Sequence, residues 1–160
     1  MEIKKAPDIQ KSIERLIPHL PMTYIDSRRI TCVRSFYAKS RARARIWSFP
    51  KIWQLALGKP PHYVIEVLSQ HYDHLSADDK IRVLIHELMH IPKNFSGALV
   101  PHRGLHKRIN SRAVESLFKL YFQSAKTPPQ AGMKRYDKRE AYKAKQNHGH
   151  KAMEVYKNSR

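Results

Sequence analysis

The stretch VLIHELMHIP, residues 83–92, constrains this chain more than any other. It lies within SADDKIRVLIHELMHIP, residues 76–92, which carries the start and stop signals of a helix at its two ends. Ser76 is a good N-cap, Asp78 and Asp79 suit the positive end of a helix dipole, Asp79 stands at the capping-box position, and Pro92 stops the run. Ile81, Leu84, Ile85 and Leu88 recur at i, i+3, i+4 and i+7, so one stripe of the helix must face a core. His86 and His90 lie beside that stripe. Four residues apart on a helix, they stand one above the other, and two imidazoles so placed can converge on one tetrahedral ion. Glu87 is turned about 100° from His86, outside the ligand set but close enough to exchange a proton with water at the ion. Three polar groups bordering an aliphatic stripe are costly to half-bury without a partner, and a metal supplies one. The spacing is that of H-E-x-x-H zinc hydrolysis, in which Zn2+ lowers the pKa of its water to about 7 and the glutamate is the general base. Chance placement in a chain with ten histidines gives the pattern roughly 3% of the time. The caps around it lower that further.

A chain of 160 residues is long enough for one domain with tails and too short for two full ones. Its 41% hydrophobic and 28% charged residues are ordinary for a globular protein, so wholesale disorder is excluded. The net charge of +18 is not ordinary, and a field of that sign attracts polyanions. The single cysteine, Cys32, excludes an internal disulfide and a cysteine-based zinc knuckle, and it reads as a small core residue in a reducing compartment. The charged N-terminus MEIKKAPDIQKSIERLI lacks an apolar run of signal-peptide length, and no run approaches the roughly 20 residues that span a bilayer. The expectation is a cytoplasmic protein with no membrane partner.

Residues 8–17 place Ile9, Ile13, Leu16 and Ile17 at helical spacing before Pro18. Strands are expected at about 29–36 and 62–68, with a weaker one near 42–48. Residues 110–122 read as another helix, capped by Asn110 or Ser111, with Val114, Leu117, Phe118 and Tyr121 turned inward. Beyond Pro128-Pro129 the composition shifts to lysine, glutamine and tyrosine, so the boundary is set at 1–125 for the folded domain and 126–160 for a basic tail, flexible or partly helical.

YVIEVLSQHYDHLSADDKIRVLIHELMHIP, followed by FSGALVPH, resembles the small predicted metallopeptidase family of archaea and phages, which is similar in turn to SprT-like minimal zincins. The resemblance spans about residues 22–122. It implies an α+β, minimal zincin-like fold: a small antiparallel or mixed sheet on the active-site helix and a supporting helix, with a third histidine ligand after the active-site helix. Lys93 and Ser96 stand where the metzincin pattern needs glycine and histidine, so that branch is excluded. Three residues are candidates for the third ligand. His102 is favoured because SGALVPH resembles the family's approach to the ligand and Pro101 stiffens the chain before it. His106 is the alternative, and Glu115 would serve a glutamate-type site.

Between Ser27 and Lys51 stand eight Lys or Arg and no acid. Arg41, Arg43 and Arg45 alternate, so on a strand they would share one face near Trp47 and Trp53, an arrangement suited to DNA or RNA phosphates with aromatic stacking. The tail from Lys126 carries ten basic residues against three acids. His148 and His150 read as part of a solvated tail, and His71 and His74 as loop surface or cleft lining. The functional expectation is a zinc-dependent peptidase acting on peptides or proteins, including those bound to nucleic acid. The other class that fits is a basic nucleic-acid-binding protein with a structural zinc.

Overall fold

In the computed structural model, residues 1–102 and 109–126 are described. The expected basic tail, His148, His150 and the candidate His106 lie outside them. The fold is α+β, a four-stranded mixed sheet with helices packed on it.

The chain opens with strand β1 (Glu2–Lys5) and helix α1 (Pro7–Leu16). Proline at N1 and Asp8 in the first turn start α1, and Ile9, Ile13 and Leu16 form its buried face. Strand β2 (Ile30–Phe36) follows, then β3 (Ala44–Trp47), helix α2 (Lys51–Leu57) and β4 (Tyr63–Leu68). A single turn, α3 (Ser69–Tyr72), leads to α4 (Ala77–Met89), and α5 (Ser111–Lys126) ends the described part. The strand order is β1-β2-β4-β3. Only β2 and β4 run parallel; β1 pairs antiparallel with β2, and β3 with β4.

The strand expected at 42–48 is shorter, 44–47, and of the three alternating arginines only Arg45 lies on it. Strand β1 has no apolar alternation to announce it: all four residues are exposed, and backbone pairing with residues 33–36 holds it. The charged N-terminus therefore completes the sheet. Arg34 on β2 ties this side together, reaching Asp8 of α1 at 2.8 Å and Asp73 beyond α3 at 3.2 Å.

Tyr63, Ile65 and Val67 of β4 join Ile30 and Cys32 of β2 in one core with α1, α4 and α5. From α4 come Leu84, Ile85 and Leu88, all but inaccessible, with Ile81 half-buried at the stripe's edge. The cap is as the sequence implies. Ser76 Oγ accepts the N–H of Asp79 at 3.1 Å and donates to its carboxylate at 2.8 Å. Helix α5 is capped by Asn110, whose Oδ1 accepts the Ala113 N–H at 2.9 Å, and it buries Val114 and Phe118. Arg82 of α4 lies 3.7 Å over the Phe118 ring and 2.9 Å from Glu115, which locks the two helices together.

Helix α2 inverts the usual rule. Its one buried residue is Gln54, while Ile52, Trp53, Leu55 and Leu57 are exposed. Gln54 Nε2 donates to the carbonyls of Phe49 and Ser96, each at 2.7 Å, and the Phe49 N–H donates to Gly97 O at 2.9 Å. Gly97 has φ +87°, and a Cβ there would collide with Phe49 O and Gln54 Nε2. Gly97→Ala is therefore expected to lower stability by roughly 2–3 kcal/mol through backbone strain and the lost Gln54 anchor. Chemical denaturation of the two proteins measures it; equal midpoints would show that the loop does not need this conformation.

Candidate metal centre

Helix α4 presents His86, Glu87 and His90 toward β3 and toward the loop that follows the helix. The helix proper ends at Met89, but His90 keeps helical dihedrals (φ −72°, ψ −13°), so the spacing of the two histidines survives the helix end. The chain then turns through Pro92 and comes back. The Val100 N–H donates to His90 O at 2.8 Å, and His90 Nδ1 lies 2.6 Å from Val100 O. A carbonyl can only accept, so Nδ1 carries the proton and Nε2 keeps its lone pair free. Two residues later His102 arrives at the same point.

One ring nitrogen from each of His86, His90 and His102 lies within 4.8 Å of the other two. His86 Nε2 and His102 Nε2 are 3.0 Å apart, near the separation of about 3.3 Å that two nitrogens take on one tetrahedral zinc. Burial and then the other two imidazoles push His86 down to about 4. His90 is also lowered, by burial first, with the Val100 hydrogen bond acting against it. Neutral imidazoles with lone pairs facing one point are what a divalent cation requires. The donor set therefore fits a metal ion, and among the described residues no other group of three potential ligands gathers.

Glu87 is only 7% exposed. Burial pushes its carboxyl up to about 7, against a hydrogen bond from the Ile46 main chain on β3. A cavity of about 460 Å³ joins it to the histidines and to Ala44, Ile46 and Leu99. A second, of about 510 Å³, runs from His86 and Glu87 to Arg43, Arg82 and Glu115.

The family model described as "Putative phage metallopeptidase" matches residues 1–121. The chain belongs to this family. No curated protein and no solved structure matches it. The match begins at residue 1, so it takes in β1 and α1, ahead of the span expected from the sequence. Membership in a metallopeptidase family and the three-histidine cluster together point to a hydrolase that uses a metal ion on peptide or protein substrates.

Other candidates fall elsewhere. The Glu115 carboxylate is engaged by Arg82, which also holds it below the usual range, and it is not part of the histidine cluster. His71 and His74 line neither cavity beside the cluster. Arg45 is the cross-strand partner of Glu66 and lies 4.0 Å from its carboxylate, whereas Arg43 lines the larger cavity and Arg41 is exposed. Of the three, only Arg45 lies on β3, although the Arg43 carbonyl still accepts the Leu68 N–H at 3.0 Å. No helix among the described residues is long and apolar enough to cross a membrane.

Two contributors had no motif of their own. Tyr63 Oη donates to Ala98 O at 3.0 Å and accepts the Gly97 N–H at 2.8 Å, fixing the approach to His102. Glu66 accepts Trp47 Nε1–H at 2.7 Å and the Ser35 hydroxyl, fastening β3 beside Glu87. The signal for Glu66 is a lone acid inside the apolar run YVIEVL.

The raised Glu87 pKa has a consequence for stability. A carboxyl at about 7 when folded and 4.5 otherwise leaves the metal-free protein's stability intact below pH 4.5 and lowers it as pH rises through 7. The full gap corresponds to about 3 kcal/mol. In metal-free protein, Glu87→Gln is expected to raise the thermal midpoint at pH 8 and to leave it unchanged at pH 4.5. Calorimetry at both values checks this, and an equal effect at the two would show that the burial cost is not ionic.

Proposed function

We propose that the protein is a zinc-dependent peptidase in which His86, His90 and His102 hold the ion and Glu87 is the general base. The observation that carries this reading is the convergence of three histidine nitrogens within 4.8 Å, next to a buried carboxyl raised to about 7. A Zn2+ held there would act as a Lewis acid toward a peptide carbonyl and would acidify water. Glu87 takes a proton from the attacking water and returns it to the leaving amine as the C–N bond breaks. Its raised pKa suits both transfers near neutral pH. The Ile46 main chain favours the charged carboxylate against the effect of burial.

Strand β3 has β4 on one side and, among the described residues, no strand on the other. That free edge borders the smaller cavity through Ala44 and Ile46, so an extended peptide adding to β3 would bring a carbonyl past the histidines. Among the described residues the cluster has three members, which favours an open coordination position and hence catalysis over a closed structural site. A second reading, contact with DNA or RNA, draws on Arg41 and Arg43, which pair with no acid among the described residues. Loss of salt-dependent binding in a triple alanine variant of Arg41, Arg43 and Arg45 would support it.

Zinc analysis and peptide cleavage test the main reading together. Wild-type protein is expected to take up one equivalent of zinc and to cleave unfolded protein, and Glu87→Gln to keep the zinc while losing cleavage by at least about a hundredfold. A protein that takes up less than about half an equivalent after reconstitution would overturn it. His102→Ala is expected to weaken zinc binding at least about tenfold, with His106→Ala close to wild type. The reverse result would move the third ligand to His106.

A further inference from the structure

The inside-out helix α2 has no part in the chemistry above. Ile52, Trp53, Leu55 and Leu57 are 54–70% exposed, and neighbouring Trp47 is 51% exposed. Scattered exposed leucines need no explanation, but five large apolar side chains on one short helix and the strand before it do. Nor is the helix loosely placed. Gln54 anchors it to the carbonyls of Phe49 and Ser96, and the φ +87° of Gly97 admits that amide where a Cβ would exclude it. A polar anchor inside and apolar groups outside hold the patch toward solvent. Gly58, in the left-handed region with φ +58°, ends the helix and leaves Leu57 at its tip.

The surroundings restrict what can cover this patch. No acid occurs from residue 27 to residue 65, and Lys51 and Lys59 flank the helix. The occupant must therefore present negative charge and apolar depth together. A second copy of a chain carrying +18 supplies the wrong charge. Nucleic acid could stack on Trp47 and Trp53 but offers little to bury Ile52, Leu55 and Leu57. The interface of an anionic bilayer meets both needs: acyl chains accept the aliphatic and indole groups while lysines pair with the headgroups. We propose that α2, with Trp47, docks the protein onto an anionic lipid surface, lying on it without crossing it.

The two tryptophans are the only ones in the chain, so tryptophan emission, excited where tyrosine does not absorb, reports on this patch. Full-length protein at physiological salt is mixed with vesicles of phosphatidylcholine and phosphatidylglycerol, and with pure phosphatidylcholine as the neutral arm. The expected result is a blue shift and co-sedimentation with the anionic vesicles only. A double variant, Ile52→Gln with Leu55→Gln, should lose at least about tenfold in partitioning. It should keep the wild-type melting midpoint and zinc content, since both side chains are exposed and neither touches the histidine cluster. Vesicle binding without a blue shift, and undiminished in the double variant, would place the attraction in charge alone and overturn the proposal. So would a shift produced by DNA and not by vesicles, or a concentration-dependent dimer that the double variant abolishes.

Discussion

The site hangs on a reciprocal pair of hydrogen bonds between His90 and Val100. One is main chain to main chain and closes the loop after α4; the other runs from the imidazole Nδ1 to the carbonyl and fixes which nitrogen faces the cluster. Without the first, His102 has no reason to lie over the helix end. Without the second, His90 is free to present either nitrogen. The loop is held further back by Tyr63, whose hydroxyl satisfies both Gly97 N–H and Ala98 O from the first residue of β4. The position of the third histidine is therefore a property of the central strand as much as of the loop. It is fixed by buried hydrogen bonds that would be costly to leave unmade.

That dependence explains which parts of the structure were legible in the sequence. Helix α4 is written locally: its cap, its acidic first turn, its apolar stripe and its stop all lie within residues 76–92, and each acts where it stands. His86, Glu87 and His90 inherit that clarity. His102 is favoured from the sequence by the resemblance of SGALVPH to a family segment and by the proline before it, but what brings it to the cluster is Val100 and Tyr63, at separations no periodicity reveals. Strand β1 was illegible for the opposite reason. An exposed edge strand paired only through its backbone places no demand on its side chains. Helix α2 is not legible either: its apolar residues invite burial, and only the tertiary bonds of Gln54 show that the helix faces the other way.

Arg45 shows that a run of charges does not announce what each charge meets in the fold. In sequence it belongs to an alternating run of arginines suited to phosphate. In the fold, antiparallel pairing sets it across from Glu66, while Arg41 and Arg43 precede the strand. Register decides what a charge meets, and register is not visible in a run of charges.

Two buried glutamates, one on strand β4 and one on helix α4, separate structural from chemical roles by their donors. Glu66 is 2% exposed and is met by the Ser35 hydroxyl and the Trp47 indole N–H, with Arg45 at 4.0 Å, so its oxygens are bound from three sides. Such a carboxylate is a fastener across β2, β4 and β3, buried away from the cavities beside the histidines. Glu87 is buried almost as well but has one main-chain donor, and its remaining surface faces a cavity shared with three histidines. Under-satisfied burial raises its proton affinity, and that is a cost the metal-free fold carries with no structural return. A group held at such a cost, beside a cluster able to bind a cation, is where function is most economically sought. The fastened glutamate supports it, because Glu66 secures strand β3, whose Ile46 borders the same cavity as Glu87.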